Sequence, residues 1–121
     1  LGGVIRTMAP LEHDQIFSTV SHIPHLIAYN MVNLIAGKSN RDTLLEFAAS
    51  GFKDFSRIAG SSPEVWKDIS LANKTAILND LDLFVKEINK TASLIKNEDY
   101  VALEKYFEVA SKIRKNWSEK N

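Results

Sequence analysis

Cysteine is absent from this 121-residue sequence. Its absence excludes a disulfide framework, a thiolate zinc centre and a cysteine nucleophile together, and it accords with a reducing, cytoplasmic setting. Net charge is missing too. Fifteen Lys and Arg balance fifteen Asp and Glu, so no global field draws in nucleic acid or an anionic membrane, and neither is expected as a partner. A near-neutral surface favours association instead. No apolar run approaches the roughly 18 residues of a membrane span, and the amino end lacks a charged-then-apolar signal pattern. Glycine and proline are scarce, at five and three. No Gly-x-Gly-x-x-Gly turn, P-loop or Gly-x-Ser-x-Gly elbow occurs, so the sequence holds no familiar self-contained nucleotide site or serine nucleophile.

What is present reads as globular and helical. Apolar residues make up 45% and charged residues 25%, enough to bury the core of one ordinary domain. The sequence opens on Leu1 and "LGGVIRTM", where Val4 and Ile5 are too short a β-branched run to make a sheet alone. Residues 1–9 therefore read as the end of something upstream, and residues 10–121 as an all-α domain of about five or six helices.

Pro10 suits a first helical turn, and Glu12 and Asp14 suit the positive end of the helix dipole. Ile16, Phe17, Val20, Ile27, Met31, Leu34 and Ile35 keep three-four spacing up to Gly37, a helix stop. Pro24 falls inside this run, where its ring opposes the Val20 carbonyl, so a kink is expected. Leu44, Leu45, Phe47 and Ala48 predict a second helix ended by Ser50 and Gly51. "FKDFSRIAG" is short and closes at Gly60. Ser62 offers an N-cap with Pro63 behind it, and Asn73 can cap the helix that follows. Ile77, Leu81, Phe84, Val85, Ile88, Ala92 and Ile95 then form one long stripe, broken at Asn97. Tyr100, Leu103, Phe107, Ala110, Ile113 and Trp117 form an antiparallel last helix. Such long stripes need partners, and a homodimer that buries them is expected.

Two stretches carry candidate chemistry. In "SHIPHLIAYN", His22 and His25 lie about 60° apart on a helix, with Ser18, Ser21 and Tyr29 on the same polar edge. Three readings stand: a metal clip, interfacial histidines, and a ligand site. The spacing misses His-Glu-x-x-His, in which residues four apart share a face. In "GFKDFSRIAGSSPEVW", Lys53 and Arg57 are four apart with Asp54 between them. This is either a solvated surface with a local Asp54–Arg57 ion pair or a carboxylate clamp built on the planar Arg fork. His13 beside Asp14 is explained by its place in a first helical turn. Trp66 and Trp117 read as packing anchors, Trp66 lying near the candidate clamp in sequence.

"MAPLEHDQIFSTVSHIPHLIAY", "GFKDFSRIAGSSPEVWKDI" and the two closing helices, in that order, resemble the carboxy-terminal helical domain of the prephenate dehydrogenase family. The resemblance covers nearly the whole chain. It implies an intertwined homodimer and an amino-terminal Rossmann domain, absent here, that binds NAD and carries the catalytic residues. No catalytic, cofactor-binding or metal residue is then expected in this chain, which alone should be inactive. The implied reaction is oxidative decarboxylation of prephenate to 4-hydroxyphenylpyruvate on the route to tyrosine, with arogenate as the alternative substrate. Carried over by motif, Arg57 would grip a substrate carboxylate and His25 would hydrogen-bond the substrate. His22 would support His25 or approach the cofactor side, Lys53 and Asp54 would line or gate the pocket, and Trp66 would close it from the neighbouring subunit. Gly51 would leave backbone amides open to a ligand carboxylate or to tyrosine as feedback inhibitor. The rival reading is a stand-alone helical interaction module; a metal-binding bundle is a third.

Overall fold

The computed structural model describes residues 7–120, with the side chains beyond residue 118 left aside. The strand expected at Val4 and Ile5 lies outside the described residues. Within them the chain is helical throughout. It divides into two units, Met8–Leu81 and a second containing Asp82–Asn121.

The first unit begins with α1 (Pro10–Phe17), a π-turn (Ser18–His22) and α2 (Ile23–Ala36), which run on as one helix. Pro10 occupies the first turn of α1 and Glu12 follows it there. The kink expected at Pro24 takes the form of the π-turn. The Ile23 N–H reaches back five residues to the Ser18 carbonyl, and Pro24 becomes a first-turn residue of α2, where no N–H is required of it. The helix stops at Gly37 as expected, but with φ −80°, so the stop does not draw on glycine's access to the left-handed region.

Helix α3 (Arg41–Phe47) ends earlier than the apolar pattern implies. Ala48 turns extended at ψ 127°, and Ser50 and Gly51, expected to end this helix, instead start α4 (Ser50–Ser56). A 3₁₀ turn (Arg57–Gly60) closes that segment at the expected glycine, and α4 and this turn both pack against α2. Helix α5 (Pro63–Ala72) starts as its sequence dictates: the Ser62 hydroxyl accepts from the Val65 N–H at 3.3 Å, with Pro63 in the first turn. Among the described residues Ile23, Ala28 and Ile77 are the buried apolar ones, and Ser18 is buried as well.

Helix α6 (Lys74–Lys96) crosses from the first unit into the second, which it forms with α7 (Tyr100–Lys120). The turn between them is tight. The Asp99 N–H bonds the Leu94 carbonyl and the Glu98 N–H the Ile95 carbonyl, both at 3.0 Å, with Glu98 at φ 52°. This is a Schellman stop with a non-glycine residue in the left-handed position. Asp99 then caps α7, its carboxylate accepting from the Ala102 N–H at 3.2 Å. The two helices run antiparallel, and the Tyr106 hydroxyl donates to Glu87 at 2.5 Å. Both keep large apolar side chains in solvent, including Val85, Ile88 and Ile95 on α6 and Phe107, Val109 and Ile113 on α7. No described helix is long and apolar enough to cross a membrane.

Candidate functional site

The π-turn and the first turn of α2 bring His22 and His25 against Trp66 of α5. The His25 and Trp66 rings stack at 3.9 Å between centroids and 16° between planes. His22 meets the same indole edge-on at 5.9 Å and 77°. Trp66, expected to act from a neighbouring subunit, thus sits on His25 of its own chain. One turn further along α2, the Tyr29 hydroxyl donates to the Ser61 carbonyl at 3.0 Å. That bond ties the end of the 3₁₀ turn, and the α5 start behind it, to the histidine-bearing edge of α2.

The two rings are held differently. His25 Nδ1 lies 2.9 Å from the Ser21 carbonyl, an acceptor, so Nδ1 carries a proton and the neutral ring presents a bare Nε2. His22 Nδ1 lies 3.2 Å from Asn73 Nδ2. The same amide nitrogen donates to the Asp14 carbonyl at 2.8 Å. A carbonyl can only accept, which identifies that atom as the NH2 of the amide and makes His22 Nδ1 the acceptor. The His22 proton therefore sits on Nε2. The pKa of His22 is lowered, first by burial, then by the positive form of His25, with Asp14 opposing and His13 adding to the effect.

Lys53 lies on α4, and Arg57 opens the 3₁₀ turn that follows it. Lys53, Asp54 and Arg57 are all exposed. Among the described residues neither cation has a carboxylate within ion-pair distance, so the local Asp54–Arg57 pair of the plainer sequence reading does not form. Exposed ion pairs occur elsewhere, as between Lys86 and Asp82 at 3.1 Å. Gly51 is the second residue of α4, with open space where a Cβ would stand. Among the described residues no three His, Asp or Glu side chains converge to hold a metal ion.

Sequence reasoning missed Asn73 and Asp80 as partners of this edge. The Asp80 carboxylate accepts from the Ser18 and Thr19 hydroxyls, each at 2.8 Å, and so fastens the π-turn to α6. Asp80 is a polar residue within the apolar stripe between Ile77 and Leu81, which is the signal that could have found it. Asn73, expected as a cap, turns its side chain to α1 and His22 instead. A cleft of about 630 Å³ is lined by Asp14, Thr19, Asn73 and Asp80 among others, but by none of His22, His25, Arg57 or Trp66. The structure brings His22, His25 and Trp66 into contact, whereas Gly51, Lys53, Asp54 and Arg57 lie on the exposed segment that packs against α2.

An all-α domain with a histidine–tryptophan stack and open apolar helix faces belongs to the class of helical association domains. Residues 9–109 match the family model described as prephenate dehydrogenase, dimerization domain, and the chain belongs to that family. It is 42% identical over 108 residues to the prephenate dehydrogenase of Bacillus subtilis, covering 88% of this chain and 29% of that protein. A crystal structure of prephenate dehydrogenase from Aquifex aeolicus, in complex with hydroxyphenyl propionate and NAD+, is similar at TM-score 0.86 and 37% identity, covering 93% of this chain and 40% of the other. Synechocystis arogenate dehydrogenase is similar at TM-score 0.88 and 25% identity, covering 96% and 43%. The chain thus spans less than half the length of each of these relatives.

Proposed function

We propose that this chain is the dimer-forming, substrate-gripping part of an NAD-dependent dehydrogenase that converts prephenate to 4-hydroxyphenylpyruvate. The observation that carries the reading is the placement of Lys53 and Arg57, without carboxylate partners among the described residues, on a segment packed against the helix that holds His25 under Trp66. Arg57 offers a planar fork to a carboxylate, and Lys53 adds a mobile charge four residues earlier. The indole fixes the rotamer of His25, so its bare Nε2 accepts from the substrate's ring hydroxyl at little entropic cost, leaving the carboxylates to Arg57 and Lys53. These groups bind and orient an anionic substrate. The Aquifex relative's complex with hydroxyphenyl propionate, an aromatic carboxylate, supports that chemistry.

The described residues of this chain do not fit NAD itself. The described residues are helical, and Gly37, Gly51 and Gly60 lie in separate segments rather than in one glycine-rich strand-to-helix turn. The dinucleotide is assigned to a domain outside this chain, and no step is drawn through it. The apolar side chains left exposed on α6 and α7 support a homodimer built through them.

Arogenate is the second reading, supported by the likeness to the Synechocystis arogenate dehydrogenase. It differs from prephenate at the side chain, where an amino group replaces the keto group, and leaves the carboxylates for Arg57. The test is Arg57→Ala in the full-length parent protein. A charge-assisted bond to a carboxylate is worth about 1.5–3 kcal/mol, so KM for the substrate should rise roughly ten- to hundredfold with a smaller change in kcat. An unchanged KM would remove Arg57 from the pocket.

A further inference from the structure

The partner of His22 is an amide, and that choice has chemical content. A carboxylate at this position would accept a proton from Nδ1 and favour the charged ring, whereas the Asn73 NH2 group donates to Nδ1 and excludes a proton there. The amide cannot turn over without loss, because its nitrogen is anchored 2.8 Å from the Asp14 carbonyl. Asn73 lies where α5 ends and α6 begins, its own carbonyl accepting the Ile77 N–H at 3.0 Å. Its backbone is therefore fixed by two helices and its side chain by a third.

We propose that Asn73 is a positioning residue that fixes His22 in the Nε2–H tautomer. In that form His22 offers a hydrogen-bond donor to a carboxylate oxygen of the ligand, whereas the bare Nε2 of His25 can only accept, from a ligand hydroxyl. With its proton on Nδ1 instead, a neutral His22 would turn a lone pair towards the same ligand and repel a carboxylate oxygen. The groups that face His22 are His13 and Asp14 from α1, His25 from α2, Trp66 from α5 and Asn73 itself. Asp14 alone among them favours the charged ring, and burial, His25 and His13 outweigh it. The consequence for ligand binding rests on the substrate-binding reading of this edge, whereas the tautomer does not.

The test uses the full-length parent protein with ¹⁵N-labelled histidine, His22 being assigned by its loss in His22→Gln. The expected spectrum at neutral pH has a bare Nδ1 and a protonated Nε2. Asn73→Asp should move His22 to a protonated Nδ1 and raise its titration midpoint. Asn73→Leu, similar in size but without a donor, should release the tautomer and raise KM about two- to tenfold, the range of one neutral hydrogen bond. A protonated Nδ1 in the unaltered protein overturns the assignment even if neither Asn73 variant folds. So does an Asn73→Asp spectrum identical to the parent's, whereas an unchanged KM in Asn73→Leu overturns the consequence for ligand binding. If the unaltered protein turns over neither prephenate nor arogenate, the dehydrogenase reading fails, and the histidine spectra still decide the tautomer.

Discussion

At His22, burial and its neighbours work against the charged ring, and the lowered pKa is a statement about stability. The unfolded chain takes up this proton at the ordinary histidine value near 6.5, and the folded chain only at lower pH. His22 therefore contributes stability that is fully present above pH 6.5 and is lost as pH falls through that value towards the folded one. The stability difference between the parent protein and His22→Gln should be constant above about pH 7 and should shrink in acid. Thermal denaturation across pH 5–8 checks this, and equal slopes for the two proteins would contradict it. At this scale much was legible in the sequence: the two histidines, the Lys53 and Arg57 pair and Trp66 stand out by type and spacing. Asn73 did not, because an asparagine between two helices reads first as a cap, and only the fold brings Asp14 and His22 to it from more than fifty residues away.

The π-turn is the element on which the histidine edge depends. It converts Pro24 from a helix-interior fault into a first-turn residue and carries His22 as its last residue. Ser18, fully buried, and Thr19 both bond Asp80 from within it. Asp80→Ala leaves the Ser18 hydroxyl buried without its acceptor, a loss of about 1–3 kcal/mol in unfolding free energy. Asp82→Ala removes an exposed pair with Lys86 and should cost no more than about 1 kcal/mol. Denaturant titration of the two variants in the parent protein measures the contrast, and equal stabilities would show that Asp80 does not hold the turn. The sequence announced trouble at Pro24 but could not say how it resolves, since a widened turn and a kink answer the same steric conflict. The long stripes of α6 and α7 were legible because their period holds for about five turns. The break at Ala48 was not, because Leu44, Leu45, Phe47 and Ala48 continue an apolar pattern that the backbone abandons. Ser50 and Gly51 looked like a stop and proved to be a start, as residues that favour either helix end can be.

For the molecule as a whole, the account joins two kinds of surface. Apolar faces on α6 and α7, with Ile113 still 65% exposed, call for a second copy of the chain. The edge formed by His22, His25 and Trp66, with Lys53 and Arg57 on a segment packed against α2, is the surface proposed above to take an anionic ligand. In the function proposed above, this chain would act by holding a substrate against chemistry supplied elsewhere. The family was legible because three motifs occur in order along the chain, whereas the substrate was not: prephenate and arogenate share the carboxylates that Arg57 would grip. The most direct measurement is NADH formation by the full-length parent protein, given NAD with prephenate and with arogenate in separate assays. The account predicts reduction of NAD with at least one of them, the faster naming the substrate. Folded protein that reduces NAD with neither would contradict it.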